Sequence, residues 1–383
     1  MKLNNNPFIL VGFSEFFSKA LAWLTLAVIP LFANPKNYGE IVLYYSIIVF
    51  FTPVFLFGQD RLILKNNAKN ELIFSIFFSV LVFLICFPLL NFLGYALVAL
   101  AGLFLSLNKV YLTYLRSNEE YLKYGFNRVL YSISRLIIVL AVVYFFYSLE
   151  NYILAELFVA LILTIGILFQ VKIDFKGFDF LNRFKHGLPL MLHGISLFGI
   201  ALCDRFILEK MVSIESVGVY SYLYLYASGL VFLFSIISIV QEKKIYQSKK
   251  RFELLINIKK TLFMMLAIGV VGGVLSFILY FFVNYFELVR DYGYYPFELF
   301  ILILSHVILP IYLVGNYYLV QSGRSNILLF CSFFALVINI LFNVVLINFY
   351  GMVGAVWATL FANISLVFFV IFVSMKISKN QES

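Results

Sequence analysis

The feature that most restricts this chain is the apolar run of about 20 residues, repeated along nearly its whole length. Leu72 to Leu90, LIFSIFFSVLVFLICFPLL, contains no charged residue, and comparable runs come before and after it. At 1.5 Å per residue, each run is long enough as a helix to cross a hydrocarbon core of roughly 30 Å. Lipid offers the backbone no hydrogen-bond partners, so only helices or closed barrels can span it. The runs are continuous and lack a barrel's alternation, which predicts helices. Only 12% of the 383 residues are charged and 63% are apolar, whereas a soluble domain carries about 25% charged residues. A water-soluble domain of any size is excluded.

Apolar runs between charge and turn clusters predict twelve spans. They fall at 8–32, 39–58, 72–91, 93–115, 127–148 and 151–171, then 187–211, 217–241, 260–284, 297–320, 326–348 and 352–375. Lys and Arg collect in short cytoplasmic loops, which tests the count. Twenty-two of the 28 fall in loops or at span ends on one side. Three (Lys36, Lys210 and Arg290) fall in loops or at a span end on the other, and three (Lys19, Arg135 and Arg205) lie deeper within spans. This segregation predicts that both termini are cytoplasmic. The net charge of +9 then reflects topology and attraction to anionic membrane lipids, not nucleic-acid binding. The N-terminus, MKLNNNPF, lacks the pattern of a cleaved signal peptide, so the first span is expected to direct its own insertion.

The polar stretch from Lys172 to His186 divides the spans six and six. The expected organisation is an all-α polytopic membrane protein of about twelve transmembrane helices in two six-helix lobes. These are residues 1–172 and 187–383, joined by a cytoplasmic linker at 173–186. Both lobes start on the same side, so any repeat between them is parallel. A faint one is visible: Pro7 and Pro189 open the first and seventh spans, and the second and eighth open near Gly39 and Gly218.

Ionisable residues inside spans are costly and mark candidate sites. Lys19 lies one turn after Glu15, so the two read either as a structural ion pair or as part of a substrate or coupling-ion site. Arg135 has no acid three or four residues away, and its partner must come from another helix or a ligand; a snorkelling Arg is the other reading. Asp204 and Arg205 are adjacent and point about 100° apart, with Glu156 at a similar depth. They form either a functional set or an interhelical lock. Arg61, just past the second span, reads as a positive-inside anchor or a further ligand contact. His193 and His306 lack any cluster of metal-type ligands, and Asn339 and Asn343 share a helix face. Cys86, Cys203 and Cys331 show neither disulfide nor metal spacing. No phosphate-binding G-x-x-x-x-G-K-[ST] loop or hydrolase motif occurs, and the external break from Asn284 to Pro296 is too short for a catalytic domain.

Four stretches in collinear order resemble one family: NPKNYGEIVLYYS with FGQDRLIL (Asn34 to Leu64), YLRSNEEYLKYGFNRVLYSISRL (Tyr114 to Leu136), GLPLMLHGISLFGIALCDRFIL with VGVYSYLYLYAS (Gly187 to Ser228), and INILFNVVLINFYGMVGAVWATLF (Ile338 to Phe361). They resemble the polysaccharide-exporting flippases of the Wzx type, of the same superfamily as the MATE multidrug exporters. The resemblance implies two lobes around a cationic cavity in a bacterial inner membrane, working by alternating access and without chemistry on the cargo. The implied cargo is an oligosaccharide on undecaprenyl pyrophosphate, and other polysaccharide-assembly proteins are implied partners. It also implies that Lys19, Arg135 and Arg205, with Arg61 as a further candidate, attract the pyrophosphate. No cofactor is called for. Glu15, Glu156 and Asp204 are the candidates for structural acids or for coupling to a proton or sodium gradient. The alternatives are a MATE-like exporter of small cations, whose cavity should be acidic, and a membrane enzyme of polysaccharide assembly, which should show clustered intramembrane His and acids.

Overall fold

The computed structural model describes residues 7–66, 70–92, 94–168, 179–248, 251–289, 291–321 and 325–379. Among them are fourteen α-helices and no strand. The first seven are α1 (Pro7–Val28), α2 (Pro35–Leu56), α3 (Gln59–Asn66), α4 (Asn70–Phe92), α5 (Ala96–Ser117), α6 (Tyr121–Phe145) and α7 (Leu149–Leu168). Then come α8 (Phe180–Met211), α9 (Ile214–Gln247), α10 (Arg251–Tyr285), α11 (Pro296–Val307), α12 (Leu309–Gln321), α13 (Ser325–Tyr350) and α14 (Met352–Lys379). Among the described residues, eleven stretches are long and apolar enough to cross a membrane. The expected sixth span corresponds to α7, and its last residues, 169–171, lie outside the described residues. The chain is an all-α, multi-pass membrane protein.

Several helices run past the hydropathy boundaries into polar sequence, although α5 begins three residues later than expected and α6 ends three residues earlier. α6 begins at Tyr121, not 127, which brings Lys123 and Tyr124 into the helix and sets Arg128 two turns from its start. α8 begins at Phe180, not 187, so Arg183 is helical and Pro189 lies inside the helix instead of opening it. α9 and α10 reach 34 and 35 residues, about 50 Å at the helical rise and well beyond a core of roughly 30 Å. Hydropathy reports where lipid ends, but the backbone ladder continues through polar residues into the headgroup region. The expected tenth span is divided: α11 stops at Val307 and α12 starts at Leu309. Pro310 has no N–H to give, and its ring opposes the carbonyl of His306 one turn earlier.

The chain forms two compact units, Met1–Ile29 with Ile41–Ile195, and Pro30–Glu40 with Ser196–Ser383. α2 and α8 therefore contribute residues to both. In lipid there is no hydrophobic drive between helices, so packing rests on close van der Waals fit and polar contacts. In the first unit α1 packs on α6 and α5 on α7, and Phe55, Phe83, Leu90, Ala99, Leu103 and Leu107 form a core between α2, α4 and α5. In the second unit α13 packs on α14 and α9 on α10 and α11, and Ile200, Tyr312, Leu328, Ala335, Leu366 and Val370 lie in its core. Gly39 and Gly218 meet where α2 and α9 begin: a Cβ on Gly39 would strike the Ile214 carbonyl, and one on Gly218 the Pro35 carbonyl. The outward stripe of α10, with Phe263, Val270, Val271, Val274 and Leu275, is exposed, as a lipid-facing surface should be.

Candidate functional site

Among the described residues, three carboxylates are buried within the helices, and each gathers its own polar cluster. The first sits on the α1–α6 seam. Glu15, about 12 Å into α1 by the helical rise, accepts a hydrogen bond from the Tyr124 hydroxyl and another from Arg128 Nε at 3.0 Å. Lys19 Nζ lies 3.3 Å from its other oxygen. Glu15 is closed in, with 6% of its side chain exposed, but Lys19 and Arg128 keep 24% and 28%. Two cations thus surround one acid, leaving one positive charge in excess when all three are ionised. Beside this cluster the same seam carries an apolar groove of about 320 Å³, lined by Leu10, Phe13 and Ser14 of α1 and by α6 from Tyr121 to Ile133.

The second cluster joins α6 to α7. Arg135 donates Nε to both oxygens of Glu156 at 3.0 Å and Nη2 to Oε1 at 2.7 Å. The Tyr152 hydroxyl adds a bond to Oε1 at 3.0 Å, and the guanidinium lies 4.5 Å from the centre of the Tyr45 ring. Arg135 and Glu156 are each 2% exposed. The missing partner of Arg135 is therefore an acid of the next helix, and the pair is neutral and closed. A snorkelling Arg is excluded by that burial.

The third cluster lies in the second unit. Asp204, with no exposed surface, accepts the Tyr220 hydroxyl, which also meets Thr359 Oγ1 at 2.8 Å. This links α8, α9 and α14. Arg205 and Asp204 do interact although adjacent: the Arg205 backbone N–H donates to Oδ1 at 2.8 Å, and its guanidinium lies 3.7 Å away. Arg205 also donates to the Ala201 carbonyl at 2.7 Å and to Ser221 at 3.3 Å, under the ring of Tyr224 at 4.7 Å. Nearby, Cys203 donates to Asn339 Oδ1 at 2.6 Å, and Asn343 Nδ2 donates to the Asn339 carbonyl at 2.9 Å. His306 packs edge-on against Tyr224 and bonds the Leu302 carbonyl, a packing role.

Three participants are invisible to a loop-by-loop charge count. Arg128 and Tyr124 belong to a face of α6 with Ser132 and Arg135, at spacings of four, four and three, a stripe legible only once the helix starts at 121. Arg183, expected in the linker, donates from α8 to Gln59 at 2.7 Å and lies 5.1 Å from the Phe74 ring. Arg61 falls in α3, and its side chain is outside the described residues. Among the described residues, no group of three or more His, Cys, Asp or Glu side chains is placed to hold a metal ion.

No protein-family model matches the chain, and no curated protein matches it significantly. Solved structures do. An outward-facing multidrug resistance MATE transporter of the MOP superfamily aligns at TM-score 0.69 and 11% identity, over 99% of this chain and 97% of that one. The lipid II flippase MurJ, in an inward closed conformation, aligns at 0.74 and 14% identity, over 95% and 87%. A MOP-superfamily transporter from Pyrococcus furiosus, described as having a binding pocket of reversed polarity, aligns at 0.68 and 14%, over 99% and 97%. Identities this low speak for architecture alone, but they do so across nearly the entire chain. The fold of this protein is that of the MATE and MurJ transporters of the MOP superfamily.

Proposed function

We propose that this chain is a flippase of a bacterial inner membrane. It carries an undecaprenyl-pyrophosphate-linked oligosaccharide from the cytoplasmic to the outer leaflet by alternating access, for surface polysaccharide such as O-antigen or capsule. The fold supports transport, and MurJ's description as a lipid II flippase supports a lipid-linked cargo. The observation that carries the choice is the excess cation on the α1–α6 seam, where Lys19 and Arg128 share one carboxylate. A pyrophosphate gains strong charge-assisted hydrogen bonds from such a pair. Lys19 and Arg128 are the anion-attracting residues in this reading. Arg135 and Arg205, satisfied by their own partners, act as structural cations. The two lobes, residues 1–172 and 187–383, carry the alternation, with both termini cytoplasmic.

For coupling, the best-supported acid is Asp204. Its carboxylate rests on hydroxyls and one backbone N–H, with a guanidinium 3.7 Å away. Glu156, by contrast, is held by a bidentate guanidinium. A proton or a sodium ion could take the place such a carboxylate offers.

The test is a deletion strain complemented with wild type, Lys19→Ala or Arg128→Ala. Lipid-linked repeat units should accumulate on the cytoplasmic leaflet in the deletion, be cleared by wild type, and persist in the variants at normal membrane levels. Unchanged surface glycan on deletion, with no redundant flippase present, would remove this reading. Multidrug export, the activity named for the MATE neighbours that share the fold, would then be measured next.

A further inference from the structure

We infer that Glu15 is a resident counter-ion occupying an anion site, and that the phosphate of the cargo displaces it during transport; this rests on the flippase reading above. The three carboxylate clusters are not alike. Around Glu156, one guanidinium meets one acid in matched bidentate geometry, at 2% exposure on both sides. Around Asp204, the acid has no exposed surface, and hydroxyls from two other helices help close it. Both are closed pairs whose charges cancel.

Around Glu15 the balance differs. Three donors from two helices converge on its carboxylate: Lys19 Nζ, Arg128 Nε and the Tyr124 hydroxyl. Two of them are cations that keep about a quarter of their side chains exposed. With Glu15 removed from the set, an ammonium, a guanidinium and a hydroxyl surround one point, a constellation suited to phosphate oxygens. With Glu15 present, the same donors are held in place and half of their charge is neutralised, which lowers the cost of carrying two cations in lipid. A phosphate bearing more than one negative charge competes for these donors better than a carboxylate does. After its release Glu15 reclaims them. The carboxylate thereby sets affinity low enough for the cargo to leave.

The full-length protein is purified in detergent, and binding of inorganic pyrophosphate is measured by calorimetry for wild type, Glu15→Gln, and Glu15→Gln combined with Lys19→Ala or Arg128→Ala. The expected result is about tenfold tighter binding by Glu15→Gln, the equivalent of about 1.4 kcal/mol, with the gain lost in both double variants. Equal or weaker binding by Glu15→Gln, at an unchanged melting temperature, overturns the inference. Should Glu15→Gln not fold, Glu15→Asp withdraws the carboxylate by one methylene; a smaller tightening is then expected, and none overturns it.

Competition by a short polyprenyl pyrophosphate assigns the site to the cargo, whereas competition by phosphatidylglycerol alone assigns it to bulk lipid and overturns displacement by cargo. The deletion-strain assay reads separately. Normal glycan flipping without tighter binding in Glu15→Gln removes the counter-ion and keeps the flippase. Tighter binding in a protein whose deletion leaves glycan unchanged keeps the anion site and removes the flippase.

Discussion

At the scale of single residues, Arg135 and Glu156 show what a charge inside a lipid-embedded fold requires. The pair is bidentate, closed by Tyr152 and capped by the Tyr45 ring. Removing one member leaves the other charged, buried and unpaired, which typically costs about 3–5 kcal/mol. Arg135→Ala or Glu156→Leu is therefore expected to lower the melting temperature sharply and to deplete the protein from the membrane. The double replacement Arg135→Met with Glu156→Leu should restore much of that stability, and thermal unfolding in detergent compares the three. A loss of transport in Arg135→Ala would thus trace to folding, unlike a loss in Lys19→Ala. A milder case is Tyr292, on the segment before α11, whose hydroxyl donates to the Ala33 carbonyl at 2.9 Å within the second unit. Burial pushes its phenol ionisation upward, so it remains a donor across the physiological range. Tyr292→Phe should cost about 1 kcal/mol, read as a small fall in melting temperature.

Among the helices, two contacts make sharp demands on side-chain size and backbone. The start of α2 lies against the start of α9 through Gly39 and Gly218, with backbone carbonyls where a Cβ would sit. Gly39→Leu cannot be absorbed by a rotamer change, because the obstacle is main chain. It is expected to abolish folded yield, while Gly94→Ala, at a turn with open space around it, should cost only its left-handed backbone preference. Size-exclusion profiles of the two variants separate these outcomes. The break between α11 and α12 sits two residues before Pro310. Pro310→Ala restores a backbone donor and should join the two helices at equal or higher thermal stability. If the break serves as a hinge, transport falls although the protein is stable; if it is merely tolerated, transport holds.

For the whole molecule, sidedness is the property that loop charges predict, and it is directly measurable. In a background lacking Cys86, Cys203 and Cys331, Lys36→Cys should react with an impermeant maleimide from outside intact spheroplasts, and Lys260→Cys only after lysis. Both positions are exposed, so burial does not explain a difference. The reverse pattern would overturn the cytoplasmic placement of the termini. The sequence by itself determined the solvent, the helical class and the near-complete set of spans. Hydrocarbon requires the backbone to bond within its own segment, and that requirement is written locally in runs of apolar residues. It also marked the costly residues Glu15, Lys19, Arg135, Glu156, Asp204 and Arg205, since an intramembrane charge stands out whatever surrounds it. Only the tertiary structure decided which of these are satisfied. Arg135 meets Glu156 across 21 positions, and Arg128 meets Glu15 across 113. Arg128 stands at the very edge of the expected span at 127–148, and Tyr124 outside it, because hydropathy ends where polarity begins and the helix does not. A charge pair depends on the separation of two atoms brought together by packing, and no local pattern encodes that distance.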